Sequence, residues 1–242
     1  MKNLKFICTS ILTLLILSAS AQAQDWPNLG RYRNDNANLG LPKANEKRVV
    51  FMGNSITEGW GKADPAFFSG RPYINRGIGG QTTPQMLIRF RQDVIDLKPE
   101  VVVILAGIND IAGNTGPSTL EMIEDNIASM AELAEINGIK VILSSVLPAY
   151  NFPWKPGIEP AGLVVSLNKW IKEFAAKKRF VYLDYYTKMV DEKGGLKAAY
   201  ATDAVHPNAE GYKIMAPLAE KAIVQALATS KTAKKNGRKH GE

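Results

Sequence analysis

Residues 48–57, RVVFMGNSIT, hold the pattern that decides the fold of this chain. The apolar run at 48–52 is ended by Gly53, which is typical of a short buried strand, and Ser55 follows two positions later. Four more runs of this kind occur further along, at residues 72–75, 101–105, 140–144 and 180–183. We predict that these five segments are the strands of one sheet.

Helical periodicity separates the predicted strands. Apolar residues recur at intervals of three and four in the segments 86–97, 120–133, 163–174 and 214–222. Strands that alternate with helices need crossover connections, which give a parallel sheet with helices on both faces. The sequence therefore predicts an α/β fold, a three-layer α/β/α sandwich around a central, mostly parallel, five-stranded sheet.

Residues with useful chemistry follow three of these strands. Ser55 follows the first strand, the glycine-rich turn at 77–83 follows the second, and Asn109 follows the third. Ligand sites of such sheets lie beyond the carboxyl ends of the strands, so we expect these turns to meet on one rim. Asp203 and His206, just before the last helix, complete the expected cluster.

Acyl transfer by a serine needs these residue types. A serine hydroxyl needs a base within hydrogen-bond reach, and a carboxylate on the far ring nitrogen fixes the tautomer of a histidine base. The chain has two histidines, and His240 lies in a basic terminal stretch, so His206 is the candidate base. The single cysteine, Cys8, lies near the start of the chain. A thiol nucleophile and a His/Cys metal cluster are therefore excluded from the body, and we predict no metal and no organic cofactor.

Each of these features has a simpler explanation when it is taken alone. Ser55 is a common type of helix N-cap, and Asn109 is a common turn residue. The glycines at 77–80 are also compatible with a phosphate-binding turn, although the third glycine of the dinucleotide pattern is missing. Their order, each at the end of a strand or the start of a helix, favours a catalytic site over these separate explanations.

Taken together, the four segments resemble the motifs of the SGNH, or GDSL-like, serine hydrolases. The matching segments are Gly53-Asn54-Ser55, Gly80, 107–110 and 203–206, and they occur in the family order. The resemblance spans about residues 48–226 and is strongest to an exported bacterial branch. The catalytic subunits of brain platelet-activating-factor acetylhydrolase look like more distant relatives. The resemblance implies the flavodoxin-like SGNH hydrolase fold and a serine esterase activity.

The resemblance also implies a role for each matching residue. Ser55 would attack the ester carbonyl, His206 would move its proton to the leaving alcohol, and Asp203 would orient His206. The N–H groups of Ser55 and Gly80 and the side-chain amide of Asn109 would form the oxyanion hole. One departure is Asn54, where the family usually has aspartate, and this change concerns local hydrogen bonding more than activity.

The substrate is less clearly indicated. Trp60, Tyr150 and Trp154 are candidates for lining a substrate cleft, and packing against the body is their alternative role. We expect a small-molecule or glycan ester as substrate and no nucleic acid. The preferred hypothesis is a carbohydrate O-deacetylase, because the chain carries export features and the family that it resembles commonly acts on such substrates. The alternatives are a lysophospholipase or short-chain lipid or aryl esterase, and a glycan-binding module with an idle triad.

The first residues have the order of a secretory signal peptide. Lys2 and Lys5 precede an apolar run at 6–17, and small residues follow up to Ala23. We predict a signal peptide at 1–23, a periplasmic or secreted location, and no stable membrane insertion after cleavage. A retained membrane anchor is the alternative, which the short apolar run disfavours.

The remaining chain divides into three parts. We predict an N-terminal extension at 24–47 that packs on the body, a hydrolase domain at 48–228 and a basic tail at 229–242. Of the formal net charge of +7, Lys2 and Lys5 supply +2 and the residues from 231 onward supply +4, which leaves +1 for the rest. Trp26, Leu29 and Tyr32 are candidates for pinning the extension to the body. The sequence does not indicate an oligomeric state.

Overall fold

The computed structural model describes residues 25–228, and the predicted signal peptide and basic tail lie outside this range. Within it, five strands form one sheet in the spatial order β2-β1-β3-β4-β5, and each neighbouring pair is parallel. The strands are β1 (Val49–Gly53), β2 (Tyr73–Gly77), β3 (Val101–Leu105), β4 (Lys140–Ser144) and β5 (Val181–Leu183). The predicted fold class is confirmed.

Helices cover both faces of this sheet. The α-helices of the described range are α1 (Arg33–Leu39), α2 (Ser55–Ala63), α3 (Pro65–Phe68), α4 (Thr83–Asp93), α5 (Ile108–Ile111), α6 (Leu120–Ile136), α7 (Pro160–Lys178), α8 (Tyr186–Met189) and α9 (Ala209–Ala228). Short 3₁₀ turns cover Ile95–Leu97 and Ala198–Tyr200. Helices α4, α6 and α7 pack together on one face, and α2 and α9 pack together on the other. No helix among residues 25–228 is long and apolar enough to cross a membrane.

The central strands form the heart of the core. Every residue of β1 and β3 is buried, which fits their continuous apolar sequence because helices shield both sheet faces. Burying each such valine or isoleucine contributes about 1.5–3 kcal/mol. The strand ends are also level, since Gly53 pairs in register with both Gly77 and Leu105. The turns that follow β1, β2 and β3 therefore leave the sheet side by side.

The helix ends differ from the sequence prediction. The predicted helix at 86–97 is instead α4 followed by a separate 3₁₀ turn, because Val94 leaves helical geometry at φ −130°. Helix α9 begins at Ala209, five residues before the first apolar position of its predicted stripe. Ala209 and Glu210 at the start of α9 are exposed, and the buried Gly211 and Tyr212 that follow do not extend an aliphatic stripe, so apolar periodicity gave no signal there.

The segment before β1 packs along α4. Glutamine side chains hold its backbone: Gln81 donates to the Pro27 carbonyl and Gln85 to the Trp26 carbonyl, both at 2.7 Å. Tyr32 is buried, and its hydroxyl donates to the Gly77 carbonyl. This segment therefore passes close to the turn that follows β2.

Candidate active site

The turn between β1 and α2 presents Ser55 as the first residue of the helix. Asn54 is buried, and its side-chain oxygen caps the helix by accepting the Ile56 N–H at 3.0 Å. A Cβ on Gly53 would lie 2.0 Å from the Thr57 hydroxyl, so the close turn requires glycine there. Because Asn54 is the cap, the serine hydroxyl is not needed for capping.

Ser55 and His206 are neighbours although most of the chain separates them. The Ser55 Oγ lies 2.9 Å from the His206 Nε2. The other ring nitrogen, Nδ1, lies 2.8 Å from Asp203 Oδ2 and 3.0 Å from Oδ1. The side chains of His206 and Asp203 are 35% and 43% exposed, so the site opens directly to solvent.

Local backbone contacts fix the carboxylate of Asp203. Its Oδ1 accepts the N–H groups of Val205 and His206, each at 2.8 Å. Partial burial acts to raise the pKa of Asp203, but these two N–H groups and the imidazole outweigh it, so the pKa lies below its ordinary value. Asp203 is therefore ionised at neutral pH and accepts a hydrogen bond from Nδ1–H.

Helix α9, which follows Asp203 and His206, helps to position these two residues beside Ser55. The Tyr212 hydroxyl, on the first turns of α9, donates to the Ile56 carbonyl of α2 at 2.7 Å. This buried bond joins the two helices directly behind the Ser55–His206 contact. The distance between nucleophile and base is thus held by helix packing as well as by their own hydrogen bond.

The glycine turn after β2 lies against the serine. A Cβ on Gly79 would lie 3.9 Å from the Ser55 Cβ and 3.0 Å from the Glu58 carboxylate. The Gly79 N–H donates to Glu58 Oε2 at 2.9 Å, and Arg31 pairs with Oε1 of the same carboxylate at 3.3 Å. Glu58 therefore fixes this turn to the nucleophile helix.

Asn109 reaches the same turn from the end of β3. Its buried amide nitrogen donates to the Gln81 carbonyl at 3.0 Å, immediately after Gly80. A primary amide carries two N–H groups, so one holds the glycine turn and the second can serve a ligand. The structure thus brings Ser55, Gly80 and Asn109 to one rim.

Two buried charged groups tie these loops together. The Arg89 guanidinium donates to the Gly53 carbonyl at 3.0 Å, to Gln81 Oε1 at 2.6 Å and to Asp93 at 3.0 Å. Burial lowers its pKa, an effect that the Asp93 carboxylate opposes. Arg89 therefore connects the residue before the nucleophile turn to the residue after Gly80.

The second buried group is Asp110, next to Asn109. Its carboxylate accepts both the N–H and the hydroxyl of Thr83, at 2.9 and 2.6 Å, at the start of α4. Burial raises the pKa of Asp110 to about 6, although the Thr83 hydrogen bonds act against this shift. Asp110 joins the asparagine loop to the helix that follows the glycine turn.

A family model of the GDSL-like lipases and acylhydrolases matches residues 51–214, which is more than half of the chain. The chain belongs to the GDSL-like lipase/acylhydrolase family. The matched range contains Ser55, Gly80, Asn109, Asp203 and His206. The predicted family and the predicted enzyme class, a carboxylic-ester hydrolase, are those of this family.

Solved structures of GDSL-like proteins share this fold. A GDSL-like lipase from Bacteroides thetaiotaomicron is 50% identical, with a TM-score of 0.81 over 84% of this chain and 100% of that chain. A candidate acylhydrolase from Bacteroides fragilis is 51% identical, with a TM-score of 0.83 over 84% of this chain and 99% of that chain.

Curated relatives include an acetylxylan esterase from Xylanibacter ruminicola, which is 26% identical over 76% of this chain and 45% of its own length. An esterase from Pseudomonas aeruginosa is 28% identical over 55% of this chain and 60% of its own. An uncharacterized lipoprotein from Bacillus subtilis is 37% identical over 31% of this chain and 32% of its own length. The chain therefore spans from 32% to 60% of the length of these curated relatives.

One candidate for substrate contact lies in the core of this GDSL-like protein. Trp60 is only 2% exposed and stacks on Phe67 and Tyr212, with ring centroids at 4.4 and 5.5 Å. Phe51 meets its edge at 5.8 Å. The prediction that Trp60 lines a substrate cleft is therefore wrong, because Phe67 of α3 and Tyr212 of α9 stack on the ring and bury it.

The other two candidate aromatics are at the surface. Tyr150 is 55% and Trp154 is 50% exposed. Lys155 in the same loop donates to the Gly113 carbonyl at 3.1 Å, so this loop adjoins the turn after α5. Trp154 contacts Phe152, with ring centroids 5.3 Å apart. That Tyr150 and Trp154 contact the substrate stays a prediction.

Sequence reasoning missed the residues that hold the rim together: Glu58, Arg89, Asp93 and Asp110. A signal was present for one pair. Arg89 and Asp93 lie four residues apart on the apolar stripe of the predicted 86–97 helix, where an unpaired charge would be costly. An arginine inside a buried stripe indicates an internal ion pair, although its carbonyl partners depend on the fold.

Proposed function

We propose that this chain is a secreted serine esterase that removes acyl groups, chiefly O-acetyl groups, from carbohydrates through an acyl-enzyme on Ser55. The observation that carries the proposal is the hydrogen-bond chain Ser55–His206–Asp203, with distances of 2.9 and 2.8 Å. This arrangement supplies a nucleophile, a base and an orienting carboxylate in one line.

The reaction has two halves. His206 Nε2 takes the proton of Ser55 Oγ as that oxygen bonds to the ester carbonyl carbon, and the imidazolium then protonates the departing alcohol. In the second half, His206 takes a proton from water, the hydroxide oxygen bonds to the acyl carbon, and the bond to Ser55 Oγ breaks. The proton returns to the serine, so the protein ends unchanged.

Charge on the carbonyl oxygen needs donors at the same rim. The N–H groups of Ser55 and Gly80 and the second N–H of Asn109 are proposed to bind this oxyanion. Support comes from the Asn109–Gln81 hydrogen bond and from the close approach of Gly79 to Ser55, because the residues that carry these N–H groups belong to adjoining turns. Because Arg89 and Asp110 hold these turns from inside, the donors need little reorganisation during the reaction.

The open site supports a carbohydrate ester as substrate. Both His206 and Asp203 are partly exposed, and such a shallow rim suits an acetyl group on a large polymer. The acetylxylan esterase named among the relatives supports the same class. Export is proposed from the leader-like residues 1–23, and one relative is named a lipoprotein. The alternatives are a lysophospholipase or short-chain lipid or aryl esterase, and a glycan-binding module with an idle triad.

Product release from two substrates tests the proposal. Purified protein, with Ser55→Ala as the blank, is given acetylated xylan and, separately, lysophospholipid. We expect faster release of acetate than of fatty acid. Faster turnover of the lipid would contradict the carbohydrate preference, whereas no hydrolysis of p-nitrophenyl acetate would contradict the esterase itself.

A further inference from the structure

A cavity of about 420 Å³ adjoins the glycine turn. Gly79 and Gly80 form one wall, Trp26 and Asp25 of the N-terminal segment form another, and Asn114 contributes to a third. This volume is within the range of small-ligand sites. No role in the catalytic mechanism above involves the Trp26 wall.

The cavity shares its glycine wall with the nucleophile. Gly79 separates the cavity from Ser55, since a Cβ at that glycine would lie 3.9 Å from the serine Cβ. Asn114 donates to the Gly80 carbonyl at 3.2 Å, which fixes the third wall to the same turn. A ligand that fills the cavity therefore lies beside the reacting ester and not at a remote surface.

The Trp26 side chain is held at the surface by a fixed backbone. The indole is 42% exposed. The Trp26 carbonyl accepts from Gln85, the next carbonyl accepts from Gln81, and the Asp25 carboxylate accepts the N–H groups of Leu29 and Gly30 at 2.8 Å. A large apolar ring on a rigid support, beside a cavity, is a suitable platform for a ligand with a flat apolar face.

The rest of the lining is mainly polar. Besides Trp26, the apolar side chain in it is that of Ile78, whereas the polar side chains belong to Asp25, Asn28, Gln81, Gln85, Asn114 and Thr115. Amide, hydroxyl and carboxylate groups match the hydroxyls of a sugar, whose ring also has an apolar face. A fatty acyl chain would lack apolar walls along most of this cavity.

We infer that this cavity is a sugar subsite: it binds a pyranose ring of the acetylated glycan, stacked on Trp26, while the O-acetyl group reaches Ser55. The inference rests on the proposed function and adds to it the place where the carbohydrate is recognised. Asn114 and Gln85 line the cavity. Asn114 uses one amide N–H on the Gly80 carbonyl, so its second N–H is the group that would meet a ring hydroxyl.

Binding to an inactive protein tests this subsite without relying on catalysis. In a Ser55→Ala background, acetylated xylo-oligosaccharides are titrated by calorimetry and by tryptophan fluorescence. Adding Trp26→Ala should raise Kd roughly tenfold, as loss of an aromatic anchor predicts, and Trp26→Phe should retain most of the affinity. Ile136→Ala is the control, because Ile136 is 73% exposed and lies at the end of α6, shortly before β4 begins, so it is at the opposite ends of the strands from the site.

Turnover separates this inference from the proposed function. With Ser55 intact, Trp26→Ala should leave kcat/KM for p-nitrophenyl acetate within about twofold and lower that for the acetylated oligosaccharide roughly tenfold, mainly through KM. Equal Kd values with and without Trp26, or equal losses on both esters, would overturn the subsite. Absence of oligosaccharide binding would overturn it too, even with p-nitrophenyl acetate hydrolysis intact. Tight binding without any hydrolysis would support the subsite and overturn the esterase.

Discussion

At the scale of single residues, the site depends on how each group is held. Asn109 uses one amide hydrogen to hold the Gln81 carbonyl and offers the other to the substrate. Asp203 receives two backbone N–H groups before it receives the imidazole. Each proposed catalytic side chain thus has a fixed partner besides the substrate, which limits its freedom before the ester binds.

Asn109→Ala tests the oxyanion hole. Loss of one donor is expected to lower kcat for p-nitrophenyl acetate by about 10²–10³, with a much smaller change in KM. Asn137→Ala is the control, since that exposed amide donates to the Leu133 carbonyl at the end of α6. A kcat within a few fold of the wild-type value would remove Asn109 from the proposed mechanism.

Asp203→Asn tests the orientation of His206. The asparagine oxygen can still accept the N–H groups of Val205 and His206, so we expect the loop to fold normally. Its NH₂ group cannot accept from Nδ1–H, so the imidazole adopts the wrong tautomer and kcat should fall by about 10⁴. Steady-state kinetics beside a thermal melt makes the comparison. A variant with wild-type melting and near wild-type kcat would contradict the assigned role.

At the scale of elements, sequence patterns located the strands well and the helix ends less well. Continuous apolar runs identify β1 and β3 because both of their faces are buried. Helix α1 gave no such signal, since none of its residues is buried. Hydrogen bonds from Arg89 to a backbone carbonyl have no sequence pattern either, because any residue supplies that carbonyl.

Arg89→Met tests the link between the turns. It leaves Asp93 buried without its ion-pair partner, so we expect a loss of about 3–5 kcal/mol in the free energy of unfolding. Replacing both residues, with Arg89→Met and Asp93→Leu, should recover part of this stability. The double variant should not recover kcat, because the Gly53 carbonyl and the Gln81 side chain still lack the Arg89 donor.

Urea unfolding and p-nitrophenyl acetate kinetics on the same preparations give both quantities. If the double replacement restored kcat as well as stability, Arg89 would act only through its charge and not by positioning the two turns.

Asp110 predicts a pH dependence of stability. Its pKa is about 6 in the folded protein and 3.8 as the reference for the unfolded chain, so the folded state binds the proton more tightly. The contribution of Asp110 to stability therefore falls as pH rises from about 4 to about 6, by on the order of 3 kcal/mol. Above about pH 6 the folded protein carries the full free-energy cost of burying the ionised Asp110 carboxylate.

The measurement compares the wild type with Asp110→Asn by urea unfolding from pH 4 to pH 7. Asparagine does not titrate, so the stability of Asp110→Asn relative to that of the wild type should improve steadily up to about pH 6 and then level off. A difference that stays constant with pH would contradict the assignment of the titration to Asp110.

At the scale of the whole molecule, two features assemble the site. Strands β1, β2 and β3 end at the same level, and α9 packs against α2. Parallel register brings the turns after β1, β2 and β3 together, and this juxtaposition was predictable from the order of elements. The Trp60 error arose at this scale, because sequence distance from Ser55 says nothing about which way a helix turns a side chain. The Trp26 wall was equally hidden, since it depends on where the N-terminal segment crosses α4.

Covalent labelling tests the central claim, the nucleophilic Ser55 beside His206, most directly. The protein is treated with a fluorophosphonate that reacts with activated serines, and the modified peptide is located by mass spectrometry. We expect a single adduct on Ser55, absent in Ser55→Ala and formed far more slowly in His206→Ala. An adduct on another residue, or none from protein that still hydrolyses p-nitrophenyl acetate, would contradict it.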